Sequence, residues 1–246
     1  MPSSSHRPRK RFGQHFLHDP RVLEKIVDAI QPAKEDFIVE IGPGEGVLSR
    51  LLLKKSPRLE VIEIDRDLAA GLSPEFKVHV ADALEFDYSI FPRGVRIVGN
   101  LPYNISTPLL FHLARYADRV RDMHFMLQLE VVNRMVAQHS TPEYGRLSVA
   151  LQARFKMKKL FNVSKGAFKP PPKVESAIVR LEPLPQILNI DENLLRKAFS
   201  ARRKTLRNAL PGIDFAALGI DSGLRPENLA PEDYARICGP RTIKVS

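Results

Sequence analysis

Short apolar runs alternate with amphipathic stretches through the first two thirds of this 246-residue chain. The apolar runs are rich in β-branched and aromatic residues and are bounded by Gly, Pro, Asp or Ser, a pattern typical of buried strands. They predict strands at Phe37–Ile41, Leu59–Ile64, Phe76–Val80, Val95–Val98, Met123–Leu129, Val149–Met157 and Ser176–Leu181.

The stretches between these runs carry helix-start signals. Asp19-Pro20 precedes a segment whose apolar residues recur on one helical face, and Ser106-Thr107-Pro108 opens another. Alternating strands and helices predict an α/β fold, in which helices cover both faces of a mainly parallel, Rossmann-like sheet. The last two predicted strands have no helix between them, so we expect them to pair antiparallel at an edge of the sheet.

The pattern changes after the proline-marked stretch Leu181–Pro185. Beyond it only short helices are predicted, at about Asp191–Leu210, Asp214–Leu218 and Pro231–Ile237. We therefore expect a domain boundary near residue 184. Residues 1–183 would form the α/β domain with a basic N-terminal arm, and residues 184–246 a small all-α domain.

Positive charge is in excess and clustered. Lys and Arg number 38 against 28 Asp and Glu, which gives a formal net charge of +10. Three stretches hold several basic residues and no carboxylate: the start of the chain up to Asp19, Arg146–Lys173, and the stretch between Glu192 and Asp214. One such run is usually a solvated face, but three in one chain favour a nucleic-acid partner.

Several functional classes are disfavoured by composition. No apolar run approaches the length of a membrane span, and the first residues lack the apolar core of a secretory signal peptide. The single cysteine, Cys238, excludes an intramolecular disulfide and a cysteine-based zinc site. The seven histidines form no ligand-spaced set with carboxylates. We therefore expect a soluble, cytoplasmic protein without a metal.

A glycine-rich turn follows the first predicted strand. In "EIGPGEG", Gly42 and its neighbours allow the backbone to approach a ligand closely. Glu63 ends the second predicted strand, where a carboxylate can bind the two hydroxyls of a ribose. Asp82 follows the third, where it can accept a hydrogen bond from an adenine amino group or simply cap the next helix. These features favour a nucleoside cofactor, either a dinucleotide or S-adenosylmethionine, over a tight turn with a surface acid.

The stretch "GNLPYNIS" follows the fourth predicted strand. An adenine amine is a weak nucleophile, because its lone pair is delocalised into the ring. The Asn100 amide oxygen and the Leu101 backbone carbonyl can accept its two N–H bonds and turn the lone pair toward an incoming methyl group. The ring of Tyr103, rather than its hydroxyl, would stack on the base, and Pro102 would stiffen the turn. The alternative is a strand-to-helix turn with a capping Asn and a core Tyr.

The flanking motifs identify the family that this chain resembles. Motifs similar to those of the ribosomal RNA adenine dimethyltransferase family, in its bacterial small-subunit branch, occur in order from residue 9 to about residue 240. They are "RKRFGQHFL", "VEIGPGEGVLS", "VIEIDRDLA", "GNLPYNISTPLLFHL", "MLQLEVVNRM", "YGRLSV", "FKPPPKVESAIVRL" and "RRKTLRNAL". The chain departs from the family pattern at Glu45, where an apolar residue is common, and in Gly71–Val78, which is shortened.

The resemblance implies an enzyme that uses S-adenosylmethionine to dimethylate N6 of two adjacent adenosines near the 3′ end of small-subunit rRNA. Its partner would be a 30S subunit or a precursor of it. Apart from the resemblance, we expect one monomer to act on each subunit. The cofactor positions would fall on His15, Leu17, Gly42, Glu63, Asp82 and Asn100. Phe168 would complete an aromatic clamp opposite Tyr103. RNA phosphates would be held by Arg9, Lys10, Arg11, Arg202, Arg203, Lys204 and Arg207.

Two other functions share these features. A large-subunit rRNA adenine methyltransferase of the antibiotic-resistance type has the same catalytic loop, although "FKPPPKVESA" and "FSARRKTLRNAL" favour the small-subunit branch. A non-catalytic ribosome-assembly factor could be built on the same fold, but the intact Gly42, Glu63, Asn100 and Tyr103 argue against it. DNA adenine methylation is less favoured, because no sizeable extra domain remains to recognise a DNA sequence.

Overall fold

A computed structural model describes residues 15–239 and the backbone of Thr242–Lys244. The predicted RNA-binding residues Arg9, Lys10 and Arg11 lie outside this range.

The strands of the described region form one large sheet and two small ribbons. The strands are β1 (Phe16–Leu17), β2 (Phe37–Ile41), β3 (Arg58–Glu63), β4 (Lys77–Val80), β5 (Val95–Asn100), β6 (Val120–Gln128), β7 (Phe155–Val163), β8 (Phe168–Lys169), β9 (Ser176–Pro183), β10 (Gln186–Leu188) and β11 (Thr242–Lys244). The large sheet has the order β4-β3-β2-β5-β6-β9-β7. Strands β2 to β6 pair in parallel, and β9 pairs antiparallel with β6. The predicted Rossmann-like sheet with an antiparallel edge is confirmed.

The helices of the same region lie between and after these strands. They are α1 (Pro20–Ile30), α2 (Val47–Leu53), α3 (Arg66–Leu72), α4 (Ser106–Ala114), α5 (Leu129–Val136), α6 (Arg146–Gln152), α7 (Glu192–Ser200), α8 (Leu206–Ala209) and α9 (Pro231–Cys238). Helix α1 begins as predicted, because the Asp19 carboxylate accepts hydrogen bonds from the backbone N–H groups of Arg21 and Val22. Leu23, Ile26 and Ile30 are buried on its inner face.

A buried ion cluster fixes the end of α1 to the sheet. The guanidinium of Arg96, on β5, donates to Asp36 at 2.7 Å and to Asp122, on β6, at 2.9 Å. It also donates to the carbonyl oxygen of Ile30 in the last turn of α1. All three charged side chains are almost fully buried, and Asp36 also pairs with Arg121 at 2.7 Å, so each buried charge has an opposite charge beside it. The cluster holds α1 against the sheet.

Two parts of the sequence prediction are wrong. The predicted strand Val149–Met157 begins as helix α6 and continues as β7 only from Phe155. An apolar run this short does not distinguish a buried helix from a strand, and Leu147, Val149 and Leu151 are all buried. In the C-terminal region, the stretch predicted as the helix Asp191–Leu210 breaks into α7 and α8, and the predicted helix Asp214–Leu218 is replaced by a turn at residues 215–219.

The C-terminal region is helical, as predicted, but it is not entirely α. Strands β10 and β11 pair antiparallel in a two-stranded ribbon. The two strands are short, and more than fifty residues separate them in sequence, so no local hairpin signal announces the pairing.

The chain divides into two compact units. Of the described residues, the first unit contains those up to Val132 and Lys159–Leu181, and the second contains Asn133–Lys158 and those from Glu182 onward. The second unit thus includes a segment from the middle of the chain as well as the predicted C-terminal domain. A boundary near residue 184 remains our prediction for where the last segment begins.

Candidate active site

A cavity of about 170 Å³ lies in the first unit, at the carboxyl ends of the parallel strands. This edge is where ligands of open α/β sheets bind. The structure brings together the predicted cofactor residues and most of the predicted catalytic ones. The cavity is lined by His15, Leu17, Gly42, Glu63, Asp82, Asn100, Leu101 and Tyr103.

Two glycines of the cavity are explained by the close approach of neighbouring atoms. Gly44 has φ +58°, and a Cβ there would lie 2.9 Å from the ring of Phe16, so β1 covers the glycine-rich turn directly. Gly99 lies beside β2, and a Cβ at this position would come within 2.6 Å of the Ile41 carbonyl oxygen. Side chains at either position would push the walls apart.

Glu63 lies at the end of β3 with its side chain almost completely buried. Its two carboxylate oxygens accept hydrogen bonds from the backbone N–H groups of Gly44, at 3.3 Å, and Asp65, at 2.9 Å. Burial raises the pKa of Glu63, against the lowering effect of these bonds. The carboxylate is therefore held rigidly beside the glycine-rich turn, where hydroxyl donors of a ligand would complete its hydrogen bonds.

Two further residues of the cavity were not predicted from the sequence. Glu40, on β2, is buried and accepts a 2.5 Å hydrogen bond from the Ser49 hydroxyl. Burial raises its pKa to about 7. Ile64 follows Glu63 and is 45% exposed, which makes it an apolar surface beside the carboxylate. Two sequence signals could have identified these residues: Glu40 is an acid inside the apolar run "FIVEI", and Ile64 is an isoleucine just past the end of a strand.

Asp82 follows β4 and serves as a turn cap, which was the simpler of its two interpretations. Its Oδ1 accepts a 2.9 Å hydrogen bond from the backbone N–H of Leu84. Its Oδ2 accepts no hydrogen bond from the residues that the structure describes. One carboxylate oxygen therefore remains for a donor in the cavity.

Asn100 ends β5, and its side chain has a fixed orientation. Its Nδ2 donates a 2.9 Å hydrogen bond to the carbonyl oxygen of His15. Because the amide nitrogen is used in this bond, Oδ1 is the side-chain atom that can accept a hydrogen bond from a ligand. The carbonyl oxygen of the next residue, Leu101, accepts no hydrogen bond from the described residues. Two acceptors of the kind that an amino group needs are thus adjacent in the chain.

Tyr103 lies half-buried in the loop between β5 and α4. Its hydroxyl forms a 2.7 Å hydrogen bond with the Ser176 hydroxyl at the start of β9. Its ring lies 5.7 Å from the ring of His15, tilted by 30°. Tyr103 is therefore held from both sides at the wall of the cavity, and it is not a core residue.

Phe168 is not among the residues that line the cavity. It pairs with Leu17 in the ribbon formed by β1 and β8, its side chain is only 2% exposed, and it packs into the hydrophobic core. Because successive side chains of a strand point to opposite sides, Phe168 points inward while Lys169 is exposed. The structure therefore does not place Phe168 opposite Tyr103.

The predicted phosphate-binding residues of the second unit differ in their contacts. Arg202 is half-buried, forms an ion pair with Glu227 and donates to the Pro142 carbonyl oxygen at 2.7 Å. Arg203, Lys204 and Arg207 are exposed. Arg202 therefore contributes to the packing of its unit, while the other three are available to a partner.

The described residues offer neither a metal-binding cluster nor a membrane-spanning helix. No group of three or more His, Cys, Asp or Glu side chains there could hold a metal ion. Among the same residues, no helix has the length and apolar character needed to cross a bilayer.

Comparison with known proteins identifies the family. Residues 5–238 match the family model described as Ribosomal RNA adenine dimethylase. The chain is 56% identical to "Ribosomal RNA small subunit methyltransferase A" of Aromatoleum aromaticum, over 95% of this chain and 94% of that protein. It is 54% identical to the protein of the same name from Chromobacterium violaceum, over 95% of each.

Solved structures support the same assignment. A dimethyladenosine transferase from Plasmodium falciparum superimposes with a TM-score of 0.75 at 26% identity, over 91% of this chain and 96% of that one. The 23S rRNA methyltransferase ErmE gives a TM-score of 0.68 at 26% identity, over 90% and 97%. The family match over nearly the whole chain shows that this protein belongs to the ribosomal RNA adenine dimethylase family.

Proposed function

We propose that this protein is an S-adenosylmethionine-dependent methyltransferase that converts two adjacent adenosines near the 3′ end of small-subunit rRNA to N6,N6-dimethyladenosine. The single observation that carries the proposal is the arrangement at Asn100. Its amide nitrogen is held by the His15 carbonyl, which directs Oδ1 to act as an acceptor at the edge of the cavity. The names of the relatives, at 52–56% identity, support the small-subunit substrate.

The cavity fits the proposed cofactor. The glycine-rich turn approaches closely enough for a ligand to lie against backbone, Glu63 offers carboxylate oxygens to ribose hydroxyls, and Ile64 offers an apolar surface to a purine. The remaining oxygen of Asp82 suits the amino group of adenine. Leu17, on β1, and His15, just before β1, would cover the ligand. Bound S-adenosylmethionine would supply the activated methyl group.

The protein's own residues would act on the target amine by positioning it. Asn100 Oδ1 and the Leu101 carbonyl oxygen would each accept one N–H bond, which would orient the nitrogen lone pair toward the methyl donor. The ring of Tyr103 would stack on the flipped base, and its bond to Ser176 would fix the ring plane. No residue has to remove a proton before transfer.

RNA affinity would come from basic side chains outside the cavity. Arg203, Lys204 and Arg207 are exposed in the second unit and would contact phosphates, as would Arg9, Lys10 and Arg11. We propose that the enzyme acts as a monomer on the 30S subunit or a precursor, in the cytoplasm. Phe168 would join the aromatic clamp only if its side chain turned out of the core.

The proposal is tested by substrate choice. Purified 30S and 50S subunits lacking these methyl groups are offered to the enzyme with labelled S-adenosylmethionine, and the products are identified by mass spectrometry. We expect dimethyladenosine in small-subunit rRNA alone. Methylation of the 50S subunit would favour the large-subunit alternative. No methylation of either subunit would favour a non-catalytic assembly factor.

A further inference from the structure

The segment from Ser164 to Ser176 does not line the cavity itself, but it is bonded at several points to residues that do. The backbone N–H of His18 donates to the Ala167 carbonyl oxygen at 2.9 Å, and β8 pairs with β1. Nδ1 of His15 lies 2.9 Å from the carbonyl oxygen of Pro170, and the hydroxyl of Ser176 is hydrogen-bonded to the hydroxyl of Tyr103. His15, Phe16 and Tyr103 all line the cavity, so the course of this segment is set by residues of the site itself.

Three lysines of this segment, Lys165, Lys169 and Lys173, are exposed and recur every four residues. None of the three forms an ion pair with the residues that the structure describes. Their inward neighbours Ala167, Phe168 and Pro172 are buried, so the lysines are on the outer side of an anchored backbone. Glu175, also exposed, is the one carboxylate between Ser164 and Ser176.

His15 connects this basic row to the proposed catalytic residue. Its carbonyl oxygen accepts from Asn100 Nδ2, and its ring contacts the carbonyl oxygen of Pro170, the neighbour of Lys169. A base flipped toward Asn100 enters the cavity while the phosphates of the strand stay at the protein surface. Because this segment is bonded to His15 and Tyr103 of the cavity, we expect its exposed lysines to meet the phosphates on either side of the flipped nucleotide.

We propose that Lys165, Lys169 and Lys173 form a phosphate-binding rim that holds the RNA strand on both sides of the target adenosine. The inference rests on the proposed function and extends it, because it assigns a role in substrate binding to a segment outside the predicted RNA-binding residues. Lysine ammonium groups act on phosphates as point charges without sequence preference. The rim would therefore set the affinity for the RNA and the salt dependence of that affinity, whereas Asn100 would set the rate of methyl transfer.

The test compares the wild type with two triple variants. In one, Lys165, Lys169 and Lys173 are changed to Ala. In the matched control, the exposed Lys34, Lys54 and Lys55 are changed to Ala. These three precede β2 and β3 and so lie at the opposite edge of the parallel sheet. Both variants lose the same charge, which separates a local contact from a general electrostatic effect.

We expect the rim variant to raise the KM for 30S subunits about tenfold or more, with kcat at saturating subunit within about twofold of the wild type. The slope of log affinity against log salt should become shallower by about 2, since each single-stranded phosphate contact contributes about 0.7. The control variant should match the wild type in both respects. Changing the three rim lysines to Arg should retain both affinity and slope.

Three results would overturn the rim. The rim variant could behave like the control variant, or it could lose kcat without a change in KM. It could also bind 30S subunits weakly while binding protein-free small-subunit rRNA normally, which would mean that the lysines contact a ribosomal protein. An inactive wild type would instead overturn the proposed function, so the two failures are distinguishable.

Discussion

The hydroxyl groups of Tyr103 and Ser176 lie 2.7 Å apart, so a residue of the loop after β5 is bonded to the first residue of β9. Ser176 is completely buried and pairs in register with Gln128 of β6, so it is a rigid anchor. The sequence predicts a role for the Tyr103 ring alone, whereas this bond gives the hydroxyl a role as well, which is to fix the position of the ring. Ser176 thereby becomes a positioning residue for the ring that we propose to stack on the base.

We predict that Tyr103→Phe and Ser176→Ala each lower kcat/KM for 30S subunits by about 2- to 10-fold, the effect of about 0.5–1.5 kcal/mol from one hydrogen bond. The double variant should be no slower than the slower single variant, because both changes remove the same bond. Tyr103→Ala should be slower still, since it also removes stacking worth about 1–3 kcal/mol. Single-variant effects that simply multiply in the double variant would exclude this coupling.

Cofactor affinity should depend on Glu63. We expect Glu63→Gln to weaken S-adenosylmethionine binding by about 1.5–3 kcal/mol, because hydrogen bonds to a charged acceptor are lost. Isothermal titration calorimetry measures the change directly. Glu35→Gln, at an exposed glutamate before β2, is the matched control and should bind normally. Equal affinities of the two variants would exclude Glu63 as the ribose ligand.

Ionisation of Glu40 should make the free energy of unfolding of the free protein depend on pH. Because burial raises its pKa to about 7 from 4.5, the folded protein holds a proton between these values that the unfolded chain releases. The contribution of Glu40 to folding is therefore most favourable below about pH 4.5 and declines as the pH rises toward 7. Glu40→Gln keeps an acceptor for Ser49 and removes this dependence.

Urea unfolding of both proteins at pH 5 and pH 8 measures the effect. The stability of Glu40→Gln relative to the wild type should be more favourable at pH 8 than at pH 5, by about 1–3 kcal/mol. A relative stability that is the same at both pH values would mean that Glu40 ionises normally in the folded protein.

The basic residues of the C-terminal unit should separate into two groups. Arg203→Ala with Lys204→Ala should lower affinity for 30S subunits and make its salt dependence shallower, while the melting temperature hardly changes. Arg202→Ala should instead lower the melting temperature, because Glu227 loses its partner in a half-buried position. Thermal denaturation shows which residues stabilise the unit, and salt-dependent binding of the same variants to 30S subunits shows which residues contact phosphates. A melting temperature unchanged in Arg202→Ala would show that its ion pair is dispensable.

The sequence predicted the parts of this fold that are determined locally. Phe37–Ile41 was identified because a strand covered on both faces is apolar along its whole length. Helix α1 was identified because Asp19-Pro20 is a helix start whatever lies around it. Glu63 and Asn100 followed from the same logic, since the carboxyl ends of parallel strands meet at one edge of a sheet.

The features that sequence reasoning missed have a common physical cause, which is that they depend on contacts between residues distant in the chain. Val149–Met157 divides between the end of α6 and the start of β7, because a short apolar run can be buried in either form. The direction of Phe168 is set by the pairing of β8 with β1, about 150 residues earlier in the chain. The bond between Tyr103 and Ser176 and the shifted pKa of Glu40 arise only when strands from different parts of the chain meet.

The most direct test of the account is the rate of methyl transfer by Asn100→Ala, measured on 30S subunits at saturating S-adenosylmethionine and saturating subunit. Asn100 also holds His15, so cofactor affinity is measured separately to confirm saturation. We predict a rate about 10²–10³-fold below the wild type, with subunit binding retained, by analogy with loss of one positioned polar group elsewhere. Dimethylation by Asn100→Ala at the wild-type rate would contradict the account, because the loop would then be only a turn.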